Sequence, residues 1–179
     1  MRTLLRLSDI LAWPCRIVAR AMGWLLIVLM LVILYDVIGR RFFATGSFKL
    51  QELEWHLHGA IAVLCFGWAY IENAHVRIDV FADRLSDRMR LRWEIAVICL
   101  FLIPFMGLLT WYAWDFVVRS YIRHEGSSGG VGLPNRWIIK SAIPIGAVLT
   151  IMGGLSVLCR AVVALRRPDL LSDPWRVPT

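Results

Sequence analysis

Residues 137–158 read WIIKSAIPIGAVLTIMGGLSVL, and after Lys140 this stretch contains no charged residue. In an α-helix its 22 residues rise about 33 Å, which is roughly the thickness of the hydrocarbon core of a bilayer. Small residues recur at every fourth position: Ala142, Gly146, Thr150 and Gly154. Small residues at this spacing let membrane helices approach closely, so we expect a tight packing seam along this helix.

Three further apolar stretches precede this one, at 21–39, 53–71 and 94–116. Of the 179 residues 59% are hydrophobic, and the charged residues gather between the apolar stretches. Too little polar sequence remains to cover a soluble core. The sequence therefore predicts an all-α integral membrane protein, with four transmembrane helices in a bundle that forms a single domain over 1–179.

Local signals refine the predicted helices. Asp36 precedes Arg40 by one helical turn, which predicts a local ion pair at the end of the first span. Ser86 and Asp87 favour a helix start before the third span, because both can satisfy free N–H groups there. Pro104 should kink the third span.

The first twenty residues mix arginine with apolar residues. Leu4, Leu7 and Leu11 recur at helical spacing, which predicts a short amphipathic helix lying on the membrane surface. Pro14 is expected to end or bend this helix.

The positive charges predict the orientation. Thirteen of the 20 Lys and Arg residues lie in the N-terminal segment, the 72–93 loop and the C-terminal segment. The positive-inside rule therefore places both termini and this loop in the cytoplasm. The net charge of +7 is explained by these positions and by lipid headgroup contacts, so we expect no nucleic-acid partner.

The sequence contains no motif that predicts catalysis. It has no phosphate-binding loop, nucleophile elbow or zinc-protease motif, and its four cysteines show no CxxC spacing. We therefore expect a protein that is not an enzyme and binds no cofactor or metal. Charges sit only at the ends of the spans, so a transport path within this chain alone is not indicated.

Two alternatives follow from the same sequence. His56, His58 and His124 fall near one face of the membrane, and facing histidines can hold a haem. The first alternative is therefore a haem- or quinone-binding membrane anchor of an oxidoreductase. The second is a stand-alone small membrane protein, such as a channel or a chaperone.

Four motifs in order carry a family resemblance. They are Arg40-Arg41-Phe42 after the first span, Gln51-Glu52-Leu53-Glu54-Trp55 at the entrance to the second, His75-Val76-Arg77-Ile78-Asp79-Val80 after it, and a Gly-rich loop leading into Leu133-Pro134-Asn135-Arg136-Trp137 and Ile143-Pro144-Ile145-Gly146. Together they cover residues 35–155. With these motifs the chain resembles the small, DctQ-type membrane subunit of tripartite ATP-independent periplasmic (TRAP) transporters.

The resemblance implies a role and partners. The small subunit of that family is a fixed scaffold for a large (DctM-type) permease subunit, which carries the substrate and sodium sites. A periplasmic binding protein delivers the substrate, usually an organic acid. The resemblance therefore implies a multi-pass protein of the bacterial inner membrane that contacts both partners and lipids, with sodium coupling through the large subunit.

The matched motifs and the small-residue stripe supply the candidate interface or structural residues: Arg40, Arg41, Glu52, Glu54, Trp55, His75, Arg77, Asp79, Ala142, Pro144, Gly146, Thr150 and Gly154. We expect Glu52 and Glu54 to form a charge cluster with Arg40 and Arg41. Arg77 and Asp79 leave two alternatives open: they tie the end of the second span to neighbouring backbone or to the large subunit, or they serve as structural caps and lipid contacts.

Overall fold

The computed structural model describes residues 1–74, 85–127 and 132–171 of the chain. All regular structure in these ranges is helical: α1 Arg2–Phe43, α2 Phe48–Ile71, α3 Asp87–Val97, α4 Ile103–Ile122 and α5 Trp137–Arg166. A π-helical turn, Ile98–Leu102, joins α3 to α4, and a 3₁₀ turn, Pro168–Leu170, follows α5. The predicted all-α class is confirmed.

The helices form a bundle with two distinct ends. We call the end that holds the starts of α2 and α5 the upper end, and the end that holds the start of α3 the lower end. α5 contacts α1, α2, α3 and α4, so it is the central helix. At the lower end Leu91 of α3 packs against Ala161 and Ala164 of α5.

Three helical stretches are long and apolar enough to cross a membrane: Arg2–Phe43, Asp87–Ile122 and Trp137–Arg166. These correspond to the first, third and fourth predicted spans. The first two stretches extend beyond both predicted boundaries, whereas α5 begins at Trp137 as predicted and extends beyond the predicted end. α2 has 24 residues, which is a sufficient length, but the charged and histidine residues of its first half lower its hydropathy. Whether α2 crosses the membrane therefore stays a prediction.

The prediction of a separate N-terminal amphipathic helix is wrong. α1 runs from Arg2 to Phe43 without a break and contains Pro14. Proline removes only one helical hydrogen bond, and neighbouring helices can compensate for it. Here Ser8, before the proline, and Cys15, after it, both bond to α5, so tertiary contacts hold the two sides in one helix.

The proline of the third span is accommodated by a change of helix type. Ser86 is the N-cap residue and α3 begins at Asp87, as predicted, although the Ser86 side chain makes no capping hydrogen bond. The π-helical turn Ile98–Leu102 lies directly before Pro104, which is the second residue of α4. Prolines and π-turns are the usual causes of irregularity in long helices, so the disturbance falls where Pro104 predicts it.

Glycines bring the backbones of α2 and α5 into contact. A Cβ atom on Gly67 of α2 would overlap the carbonyl oxygen of Leu149. A Cβ atom on Gly153 of α5 would lie 2.5 Å from the carbonyl oxygen of Gly67, and one on Gly146 would lie 2.6 Å from that of Val63. No other residue type fits these positions without moving the backbone, so the glycines set the distance between the two helices.

The small-residue stripe of α5 does not stay on one face. Four residues advance an α-helix by about 400°, so each step of the stripe rotates by roughly 40°. Gly146 consequently faces α2, whereas Gly154 faces Leu102 and Ile98 at the π-helical turn. The predicted seam exists, but it is divided between two neighbouring helices.

Candidate functional site

Glu52 ties the connection between α4 and α5 to the first half of α2. Its Oε2 accepts the backbone N–H of Leu133 at 2.7 Å, and its carboxylate also accepts a hydrogen bond from Ser127. The bond from Leu133 is the main cause that lowers the pKa of Glu52, because it favours the charged form. Gly132 lies so close that a Cβ atom there would overlap both Glu52 and Ser127.

Glu125 makes a second link at the upper end. Its Oε2 accepts a hydrogen bond from Nζ of Lys140 at 2.5 Å, and Nη1 of Arg136 lies 3.8 Å from its Oε1. The bond from Lys140 is the largest of the causes that lower the pKa of Glu125. The Lys140 ammonium also lies 3.8 Å from the centroid of the Phe116 ring. The end of α4 is thereby fastened to the start of α5. We call the contacts of Glu52 and Glu125 the upper junction.

The structure does not show the predicted cluster of two acids and two arginines. Arg40 pairs with Asp36 at 2.5 Å, which confirms the predicted local ion pair. Glu52 bonds to the α4–α5 connection instead of to Arg40. Arg41 is exposed, and Oε1 of Glu54 is buried without a hydrogen-bond partner among the described residues. Sequence spacing identified the charged residues but not their partners on distant segments.

The remaining candidate residues fall into three groups. Those on α5 are buried inside the chain and pack its own helices: Ala142, Pro144, Gly146, Thr150 and Gly154. Trp55 is 78% exposed at the upper end and remains accessible to a partner or to lipid. His75, Arg77 and Asp79 lie outside the described residues, so their predicted role stays a prediction.

Sequence reasoning missed a polar contact at the lower end. The hydroxyl of Ser8 lies 2.9 Å from that of Ser156 and bonds to its backbone carbonyl at 3.0 Å. Arg160 donates to the hydroxyl of Ser8 at 3.1 Å and to the carboxylate of Asp9 at 2.9 Å. We call these four residues the lower clamp. Both serines are almost fully buried, so the clamp fixes the start of α1 against α5.

A signal for this contact was present in the sequence. Ser8, Ala12 and Cys15 recur at helical spacing, and all three are buried. The apolar residues Ile10 and Trp13 on the other side of the helix are exposed instead. The face that packs is therefore the one with small residues, because close helix contact in a membrane requires them.

The second half of α1, residues 21–43, exposes almost all of its side chains. We call this segment the upper half of α1. Only Leu29 and Asp36 are buried in it. Its most exposed residues are large and apolar or aromatic: Trp24, Met30, Leu31, Tyr35, Phe42 and Phe43. A groove of about 550 Å³ runs beside it and is lined by Leu31, Leu34, Tyr35, Ile38, Gly39, Phe43 and Thr45.

His56 borders the upper junction. His56 lies 3.8 Å from the carboxylate of Glu52. Within residues 1–74, 85–127 and 132–171, no group of three or more His, Cys, Asp or Glu side chains is placed to hold a metal ion. The arrangement at the upper end is that of a structural junction between segments.

A comparison with protein-family models matches residues 29–164 to the DctQ component of tripartite ATP-independent periplasmic transporters. The chain belongs to this family. The match begins in the upper half of α1 and ends two residues before the end of α5. A comparison with curated proteins gave no significant match.

Family membership confirms the resemblance read from the four motifs. The chain is a membrane protein and a small permease subunit of a TRAP transporter. Members of this family work with a large permease subunit and a periplasmic binding protein, which identifies the kind of partner. The membership gives no support to the oxidoreductase anchor.

Proposed function

We propose that this chain is a non-catalytic scaffold for the large permease subunit, in a complex that takes up organic acids with sodium. The single observation that carries the proposal is the family match over residues 29–164. In this proposal the periplasmic binding protein delivers the substrate. The large subunit carries the substrate and sodium sites, and this chain binds no cofactor of its own.

The proposed topology has four spans in the bacterial inner membrane, with α2 as the second span. Both termini and the lower end face the cytoplasm. The upper end, with the connection between α4 and α5, faces the periplasm. The excess of Lys and Arg in the segments at the lower end supports this orientation. Reporter fusions to the 72–93 loop test it: a periplasmic signal there would contradict the orientation.

We propose further that the large subunit docks on the upper half of α1. The stripe of α5 is already buried within this chain, so it is not free to bind a second protein. The upper half of α1 makes few contacts of its own, exposes large aromatic residues and borders a groove. Aromatic residues are enriched in protein interfaces because they bury a large area with few rotatable bonds.

Co-purification of the two membrane subunits tests this face. Trp24 and Tyr35 on α1 are each 70% exposed, and Trp111 and Tyr112 on α4 are 72% and 68% exposed. The double substitution Trp24→Ala/Tyr35→Ala should reduce recovery of the large subunit at least several-fold. The matched pair Trp111→Ala/Tyr112→Ala removes equally exposed aromatic residues and should leave recovery unchanged.

The outcomes separate the two proposals. Loss of the large subunit only with the α4 pair would move the docking face to α4 and leave the scaffold role intact. Failure of the unsubstituted chain to recover any large subunit would contradict the scaffold role itself.

Uptake assays with charge reversal at Arg123 and Arg136 test docking of the binding protein at the upper end. Unaltered uptake would remove the support for docking there.

A further inference from the structure

A cavity of about 280 Å³ lies between α1 and α2 at the lower end of α2. It is lined by Arg16, Ala19 and Arg20 of α1 and by Trp68 and Glu72 of α2. The cavity is partly open to its surroundings, and it is large enough for a phosphate ester group. We propose that this cavity binds the phosphate headgroup of an anionic phospholipid.

The two arginines supply positive charge and hydrogen-bond donors of the kind that a phosphate binds. They lie one helical turn apart on α1, both are exposed, and neither makes a hydrogen bond or ion pair within the part of the chain that the structure describes. Each guanidinium offers several N–H donors in a planar fork, which matches phosphate oxygens. Two such groups on one side of a small cavity can hold one phosphate between them.

The cavity also lies at the depth of a headgroup. Glu72 directly follows the last residue of α2, which places it at the boundary of the second predicted span. Side chains on a helix lean towards its N-terminus, and the N-terminus of α1 is at the lower end. Arg16 and Arg20 directly precede the first predicted span, which begins at residue 21, so they also lie near this boundary.

Trp68 and Gly23 supply the remaining features of a lipid site. Trp68 is 38% exposed, and an indole ring at the interface combines an apolar surface with an N–H donor. Gly23 lies one turn beyond Arg20, and no atom lies within 4 Å of the position that its Cβ would occupy. An acyl chain can pass through this open space above the headgroup.

Glu72 lets the proposal predict whether a substitution strengthens or weakens lipid binding. Glu72 lines the same cavity as the two arginines, so the lining residues carry more positive than negative charge. If the arginines bind a phosphate, removal of the carboxylate should strengthen binding, because like charges repel. In the proposed orientation the lower end faces the cytoplasmic leaflet, where anionic lipids attract basic residues.

Native mass spectrometry of the full chain in detergent, titrated with phosphatidylglycerol, measures this binding. Arg16→Gln/Arg20→Gln should weaken it by about 30-fold, on the basis of the typical contribution of two arginines near a lipid surface. Arg2→Gln/Arg6→Gln is the matched control, because it removes two exposed arginines at the same spacing on the same helix. It should change binding less than about two-fold, because neither Arg2 nor Arg6 lines the cavity and the attraction falls off within a Debye length.

Further arms complete the test. Glu72→Gln should bind phosphatidylglycerol more tightly than the unsubstituted chain, and inorganic phosphate at millimolar concentration should not displace the lipid. Equal weakening by the two arginine pairs would show non-specific attraction and overturn the proposal. So would unchanged binding in Arg16→Gln/Arg20→Gln, or unchanged or weaker binding in Glu72→Gln. Lipid binding is measured without transport, so its failure would leave the proposed function untouched.

Discussion

α5 and the upper half of α1 are both apolar helices, yet they differ in almost every contact. α5 is rich in glycine, alanine and serine and is largely buried among α1, α2, α3 and α4. The upper half of α1 is rich in leucine, isoleucine and aromatic residues and is largely exposed. In a membrane, hydrophobicity does not drive helices together, so small residues decide which faces pack. Side-chain size, more than hydropathy, separates the core of this bundle from its surface.

The largest expected effect comes from Gly67→Ala, at the backbone contact of α2 with α5. The added Cβ atom would overlap the carbonyl oxygen of Leu149, so α2 must move away from α5. We expect a loss of about 3 kcal/mol in the free energy of unfolding in detergent, measured by thermal or denaturant unfolding.

Gly59→Ala is the control for this change. Gly59 lies on the same helix, and nothing lies within 4 Å of the Cβ position. This variant should be neutral or slightly more stable, because alanine favours helix over glycine. A similar loss in both variants would mean that helix propensity, and not the α2–α5 contact, controls stability.

Leu29→Ala tests the upper half of α1, where Leu29 is 3% exposed and Leu31 is 61% exposed. Truncating the buried leucine should lower the free energy of unfolding by about 2 kcal/mol. Leu31→Ala should change it by less than about 0.5 kcal/mol in the isolated chain. If Leu31→Ala destabilised the isolated chain as strongly as Leu29→Ala, the upper half of α1 would not be the largely unpacked helix that contrasts with α5.

Ser8→Ala should have a smaller effect, because it removes the hydrogen bonds of one hydroxyl in the lower clamp. Hydrogen bonds between membrane helices contribute about 0.6 kcal/mol on average, so we expect a loss of about 1 kcal/mol for this buried site. Ser141→Ala is the control, since among the described residues that hydroxyl bonds only to the carbonyl oxygen of Ile138, on its own helix. Equal thermal shifts for the two variants would argue against a stabilising clamp.

The smallest expected effect is a pH dependence of the upper junction. The pKa of Glu125 is lowered from its ordinary value of 4.5, chiefly by the hydrogen bond from Lys140. A lowered folded-state pKa means that this stabilisation is complete above about pH 4.5 and is lost as the pH falls through the folded value.

Hydrogen exchange of the amides in 123–127 and 132–136 measures this effect. Protection should fall when the pH is lowered below about 4.5, after correction for the intrinsic exchange rate. In Glu125→Gln the loss of amide protection at low pH should be smaller, because the contribution from protonation of Glu125 is absent. Protection that stays constant down to pH 3 in the unsubstituted chain would contradict a role for the carboxylate.

The sequence predicted most of the helices and the family, but not the partners of polar residues. Apolar length and charge clustering located three membrane-competent helices, and Ser86 marked the start of α3. The pair of Asp36 with Arg40 was predictable because its geometry is fixed within one helix. The partners of Glu52 and Ser8 were not, because they lie 81 and 148 residues away along the chain.

The break expected at Pro14 shows a different limit. Local propensity favours a helix end or bend at proline, and the sequence carries no direct sign that tertiary contacts will oppose it. The contacts of Ser8 and Cys15 with α5 outweigh this preference. A small-residue spacing in 8–15 was the only local hint that this segment belongs to the bundle.

The length of α1 has a mechanical consequence. Its 42 residues rise about 63 Å, twice the roughly 30 Å of hydrocarbon that it is proposed to cross. Even at a tilt of about 40°, the upper limit of common values, it extends roughly 18 Å farther than the hydrocarbon. One continuous rod then reaches through both headgroup layers, so a change in bilayer thickness that alters its tilt is transmitted from one leaflet to the other.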